Sequence, residues 1–212
     1  MEQLLEKIQK MGVVPVVAIE NAADAPKLGQ ALSAGSLPCA EITFRTAAAP
    51  EAIRLMAEEC PDVLVGAGTV LTVEQAQTAV ANGAKFIVTP GFDAAVVDWC
   101  IANEVPITPG VMTPTEINMA LNKGLRALKF FPAEAAGGIK TLKAIAAPYG
   151  GVRFIPTGGV SPQNLGDYLA LPAVLACGGS WLVTKQLISA GEFETITRLA
   201  QEAAAIVNEV RK

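Results

Sequence analysis

Short continuous apolar runs, separated by stretches of helical patterning, recur along the whole chain. The first, residues 13–18 (Val-Val-Pro-Val-Val-Ala), is typical of a strand covered on both faces. Further runs follow at 39–44, 63–65, 86–88, 106–108, 127–130, 153–155 and 174–176. Between them apolar positions take helical spacing, with start signals at Thr72, Thr113 and Ser161, and segment 22–34 reads as a helix closed by Gly35. The opening residues mix Glu2, Glu6, Lys7 and Lys10 with leucines, the pattern of an amphipathic helix and not of a signal peptide. The sum is eight strand–helix units behind an N-terminal helix.

Eight parallel strands alternating with helices in 212 residues fit a single α/β domain spanning 1–212, a (β/α)8 TIM barrel with an additional N-terminal helix. An open doubly wound sheet is the runner-up. The positions of the unusual residues favour the barrel. Thr43 to Thr46, Gly66 to Thr69, Thr89 to Gly91, Pro109 and Gly110, Lys129 to Pro132, Thr157 to Gly159 and Gly178 to Ser180 are all expected to follow strands. In a barrel such positions converge on one face, whereas an open sheet spreads them along an edge.

Composition narrows the functional classes. A hydrophobic fraction of 51% with mean hydropathy +0.41 suggests apolar surface covered by another subunit, an alanine-rich helical shell being the equal alternative. A net charge of −4, with no basic cluster, offers nothing to nucleic acid, and no run is long enough to cross a membrane. Cys39, Cys60, Cys100 and Cys177 are scattered and read as small buried hydrophobes in a reducing cytoplasm. Histidine is absent, which removes histidine-dependent triads and argues against an imidazole-bound metal. Acid–base work then falls to a carboxylate, lysine or tyrosine.

Lys129 stands out because Leu128, Phe130 and Phe131 surround it in sequence before Pro132 ends the run. A desolvated amine tends toward the neutral nucleophile that forms a Schiff base, although a lysine snorkelling from a strand end fits the run equally well. Period-2 alternation puts Glu41, Thr43 and Arg45 on one face, opposite Ile42 and Phe44, and turns Lys129 inward by the same rule. An inward glutamate is a proton carrier and an inward arginine a fork for a substrate carboxylate; a Glu41–Arg45 ion pair without function is the alternative. Gly158 and Gly159, then Gly179 and Ser180, follow the last two expected strands, where barrels often bind phosphate on backbone amides at a helix start. Two tight turns would leave the same signature.

The motifs at 41–46, 66–70, 89–91, 129–134, 156–159 and 178–181, in that order through nearly the whole chain, resemble those of the 2-keto-3-deoxy-6-phosphogluconate (KDPG) aldolase family, which includes enzymes acting on 4-hydroxy-2-oxoglutarate (KHG). The resemblance implies a class I aldolase, an aldehyde-lyase with no metal or other cofactor, on a (β/α)8 barrel that is a cytoplasmic homotrimer. Its reaction would cleave phosphorylated KDPG to pyruvate and glyceraldehyde 3-phosphate in the Entner–Doudoroff pathway of carbohydrate metabolism. By the same resemblance Lys129 is the Schiff-base lysine, Glu41 the general acid/base, Arg45 and Thr69 the pyruvate-binding pair, and Pro90 and Phe131 pocket walls. Thr157 matches a position tied to C4 stereochemistry, and Gly158, Gly159, Gly179 and Ser180 match the phosphate loops. Ser36 departs from the glycine expected there and burdens the backbone if it needs a positive φ. Two other classes would share some of these features: a phosphate-binding barrel isomerase or synthase, and an aldolase-like subunit serving as an assembly scaffold.

Overall fold

The computed structural model describes residues 2–211. Helix α1 (Glu2–Met11) precedes β1 (Val13–Val17), α2 (Ala25–Ala34), β2 (Cys39–Thr43), α3 (Ala49–Glu59), β3 (Leu64–Gly68), α4 (Val73–Ala81), β4 (Ile87–Val88) and α5 (Ala94–Ala102). The chain continues through β5 (Ile107–Thr108), β6 (Gly110–Val111), α6 (Pro114–Asn122), β7 (Ala127–Phe130), α7 (Gly138–Ala146), β8 (Arg153–Pro156), α8 (Pro162–Leu169), β9 (Cys177–Gly179), α9 (Lys185–Ser189) and α10 (Phe193–Val210). The expected helix starts are present: Thr72 accepts from the Gln75 amide, while Thr113 and Ser161 each complete a capping box.

The strands are parallel, as alternation with helices requires, but they form two sheets and not one closed ring. The larger has the order β5-β4-β3-β2-β1-β9 and the smaller β6-β7-β8. Around Pro109, which has no amide hydrogen, the chain passes from one sheet to the other: Ile107 and Thr108, within the expected fifth strand, pair with β4, while Gly110 and Val111, beyond its expected end, form β6 and pair with β7. The Lys129 amide nevertheless donates to the Pro109 carbonyl at 2.9 Å. At the other seam, isolated bridges join Phe154 to Val174 and Thr157 to Gly178.

Two expectations need correction. The last strand lies at Cys177–Gly179, not at 174–176, because the register with β1 pairs Val13 with Cys177 and Pro15 with Gly179. Residues 66–68, read as loop, complete β3, where Gly66 and Gly68 pair with Glu41 and Thr43. Backbone register decides both cases, and small residues give it no apolar signal.

The core has two layers. Leu28, Leu32, Ile42, Ile53, Leu128, Phe130 and Phe154 pack between strands and helices, while Ile8, Val14, Cys39, Phe86, Val88, Ile155 and Leu175 fill the space the strands enclose. Ile8, only 1% exposed, ties α1 to this inner cluster, a burial contributing about 1.5–3 kcal/mol.

At the end of α2 the left-handed position is Ser36, with φ 63°, and Gly35 takes φ −84°. The Leu37 amide donates to Leu32 and the Ser36 amide to Ser33, the Schellman pair of bonds. A non-glycine residue in this conformation costs about 1–2 kcal/mol, partly offset by the entropy glycine restores to the unfolded chain. Ser36→Gly is therefore expected to raise the unfolding free energy by about 0.5–1 kcal/mol in urea denaturation. An unchanged or lowered midpoint contradicts that expectation.

Candidate active site

Lys129 on β7 and Glu41 on β2 come from different sheets and meet between them, Nζ to Oε1 at 3.3 Å. Both side chains are deeply buried, 6% and 4% exposed. The parity argument holds for both: Leu128 and Phe130 point outward into the helical shell, and the polar side chains point in. Glu41 pairs with Lys129 and not with Arg45, the partner its own strand suggested. Gly68 makes room for the carboxylate, since a Cβ there would lie 2.2 Å from Glu41 Oε1. Beneath the pair is a nook of about 10 Å³, lined by Phe86, Val88, Thr108 and Ile155 among others and sized for roughly one water.

Above the pair a cleft of about 360 Å³ opens, with Lys129 in its lining. Arg45, Thr69, Pro90, Phe131, Thr157, Gly158, Gly159 and Ser180 line it, joined by Gly178 of the same late glycine motif and by Val16 and Val160, which carried no chemical signal in the sequence. Strand β2 ends at Thr43, so Arg45 sits in the following turn, where Thr43 holds it: the Thr43 hydroxyl donates to the Val17 carbonyl at 2.7 Å and accepts from Arg45 Nε at 3.0 Å. Both terminal guanidinium nitrogens stay unengaged among the described residues, which leaves a fork able to take an anion. Thr69 has φ 54°, uncommon for a β-branched residue and a strain that recurs at binding sites. The Phe131 ring centroid lies 5.1 Å from Lys129 Nζ.

The loop after β8 has the geometry of an anion nest. The carbonyls of Thr157, Gly158 and Gly159 accept from the Ala133 amide (2.8 Å), the Glu134 amide (3.0 Å) and Asn164 Nδ2 (3.2 Å). Among the described residues, the amides of Gly159, Val160 and Ser180 have no hydrogen-bond acceptor, whereas the bridge between Thr157 and Gly178 turns the Gly158 amide toward the Gly178 carbonyl. With φ 98° and 81°, Gly158 and Gly159 both take the positive φ that glycine adopts without a Cβ penalty. The second expected loop differs from its reading. Gly179 is buried within β9 and outside the cleft lining, and residues 180–184 separate it from α9, so no helix opens at that glycine.

A larger cavity, about 630 Å³, lies beside α1 between Lys7, Lys10, Asp62 and Lys85. It gathers no buried reactive pair, so size is outweighed here by the chemistry of the smaller cleft. No cluster able to hold a metal ion occurs among the described residues, and no described helix is long and apolar enough to cross a membrane. All four cysteines are free and buried. Burial, reinforced by the Glu41 charge, pushes the Cys39 thiol above its usual range, and burial pushes Cys100 up to about 11.

A buried amine touching a carboxylate, under a cleft with a guanidinium at one side and free amides at the other, suits an enzyme that works on an anionic carbonyl compound through a lysine imine. The chain belongs to the KDPG and KHG aldolase family, whose model matches residues 4–199. It is 52% identical to the 2-dehydro-3-deoxy-phosphogluconate aldolase of Treponema pallidum, over 96% of this chain and 97% of that one. Among solved structures it resembles the KDPG aldolase of Legionella pneumophila, with pyruvate captured as a covalent carbinolamine, at TM-score 0.91 and 39% identity over 94% of this chain and 97% of that chain. It also resembles the 2-keto-3-deoxy-6-phosphogluconate aldolase of Zymomonas mobilis with 3-phosphoglycerate, at TM-score 0.89 and 40% identity over 95% of each chain.

Proposed function

We propose that this chain is a class I aldolase that cleaves KDPG to pyruvate and glyceraldehyde 3-phosphate and also accepts KHG. The observation that carries this reading is the Lys129–Glu41 contact of 3.3 Å, buried at the base of a cleft with anion-binding groups on two sides. Arg45 and Thr69 hold the C1 carboxylate, and the amides of Gly159, Val160 and Ser180 hold the distal phosphate. This arrangement leaves C2 above Lys129. The Nζ adds to C2, and loss of water from the carbinolamine gives a protonated imine, the electron sink. Glu41 takes the C4 hydroxyl proton as the C3–C4 bond breaks, so that the aldehyde leaves and an enamine remains. The same carboxyl group returns the proton to C3, and water then hydrolyses the imine, freeing pyruvate and Lys129. Pro90 and Phe131 wall the pocket, and Thr157 bears on C4 configuration, a role supported by its 6% exposure in the lining that also holds Lys129.

The two parallel sheets belong to one (β/α)8 barrel forming a single domain; eight successive strand–helix units and the bonds across both seams support this. A cytoplasmic homotrimer accords with the family resemblance and with Leu71, Ile101, Met112 and Met119, large apolar side chains each more than 40% exposed. KDPG is expected to show a kcat/KM well above that of its non-phosphorylated counterpart, because remote phosphate binding supports the chemical step. Equal values for the two keto acids would contradict the phosphate role of the nest.

A further inference from the structure

We infer that Glu134 and Tyr168 form a positioning clasp that aims the Gly159 amide at the substrate phosphate, an inference resting on the phosphate reading of that loop. In a planar trans peptide, the carbonyl of one residue and the amide hydrogen of the next point in opposite directions. The Thr157 and Gly158 carbonyls bond to the amides of Ala133 and Glu134, so the amides of Gly158 and Gly159 face away from that segment, the first toward the Gly178 carbonyl and the second without an acceptor among the described residues. Segment 133–134 therefore sets the aim of the nest, and whatever fixes that segment fixes the aim.

The fixing contact is the Tyr168 hydroxyl donating to Glu134 Oε1. Glu134 is exposed, but Tyr168 is 0% exposed, so a mobile side chain is tied to a rigid one. Burial first, then the hydrogen bond to Glu134 and its charge, hold the Tyr168 hydroxyl above the usual phenol range, which keeps it a donor at working pH. Asn164 stands one helical turn before Tyr168 on α8 and holds the Gly159 carbonyl, so a single face of α8 secures the loop at both ends. Gly159 seals the contact, since a Cβ there would come within 2.6 Å of Glu134 Cβ. The clasp touches neither the amine nor the carboxylate that perform the chemistry, so its effect is confined to the phosphate end.

The test follows the Gly159 and Val160 amide resonances during titration with inorganic phosphate, alongside steady-state kinetics. For Tyr168→Phe, phosphate binding is expected to weaken and the KM for KDPG to rise, each by roughly three- to tenfold, the loss of one hydrogen bond. The kcat for KDPG and the KM for the non-phosphorylated keto acid stay at the wild-type values. Glu134→Gln, whose amide oxygen still accepts from Tyr168, is expected to behave as wild type, and Glu134→Ala at its exposed position to reproduce Tyr168→Phe without disturbing the core. Unchanged phosphate binding in both Tyr168→Phe and Glu134→Ala, or a KM that rises equally for both keto acids, overturns the clasp. Wild-type amides that ignore phosphate overturn the phosphate reading of the loop and the clasp with it.

Discussion

Lys129→Ala is expected to abolish carbon–carbon cleavage, with turnover falling by a factor on the order of 10⁵ or more, because no other amine among the described residues lines the cleft. The substitution acts on stability as well. It leaves Glu41, 3% exposed, without the partner that justified its burial, and removing one member of a buried ion pair costs about 3–5 kcal/mol. A double variant, Lys129→Met with Glu41→Gln, separates the two effects: stability is expected to recover while cleavage stays absent. Residual cleavage within a hundredfold of wild type in either variant would show that another group carries the reaction.

Glu41→Gln is expected to slow turnover by about 10²–10⁴, the range for a positioned general acid/base, while Lys129 still forms its adduct with pyruvate. The amide is isosteric with the carboxylate, and the space left by Gly68 accommodates it. What it loses is the capacity to take the C4 hydroxyl proton and return it to C3. Loss of cleavage with retention of the adduct is the pattern that distinguishes Glu41 from Lys129. Near-normal turnover in Glu41→Gln would remove the carboxylate from the mechanism.

Much of this site was legible in the chain because strand parity is a local rule. A period of two turned Glu41 and Thr43 inward from Ile42, and Lys129 inward from Leu128 and Phe130, without knowledge of any neighbour. What parity cannot supply is the partner. Glu41 and Lys129 lie 88 positions apart, and the nearest cation along the strand, Arg45, was the wrong candidate for the ion pair. The Glu134–Tyr168 contact, across 34 positions, was hidden for the same reason: an exposed glutamate and a helical tyrosine carry no sign of each other.

The misreadings in the fold share one cause. Apolar runs mark where a strand is covered, whereas register marks where it is hydrogen-bonded, and the two diverge at small residues and prolines. Gly66 and Gly68 pair within β3 despite their loop-like composition, and Gly178 and Gly179 form β9 while the more apolar 174–176 contribute an isolated bridge at Val174. Pro109 and Gly110, expected to follow a strand, lie where the chain leaves the larger sheet at Thr108 and enters the smaller one at Gly110. Ser36 was the informative departure, since the positive φ that a glycine would relieve is present in the backbone.

The most direct measurement is borohydride reduction of the protein with pyruvate, followed by digestion and mass analysis of the peptides. A stable pyruvate-derived adduct on Lys129 alone, lost in Lys129→Ala and retained in Glu41→Gln, is the expected result. An adduct on any other lysine, or none while cleavage continues, would contradict the assignment of Lys129 as the imine-forming residue.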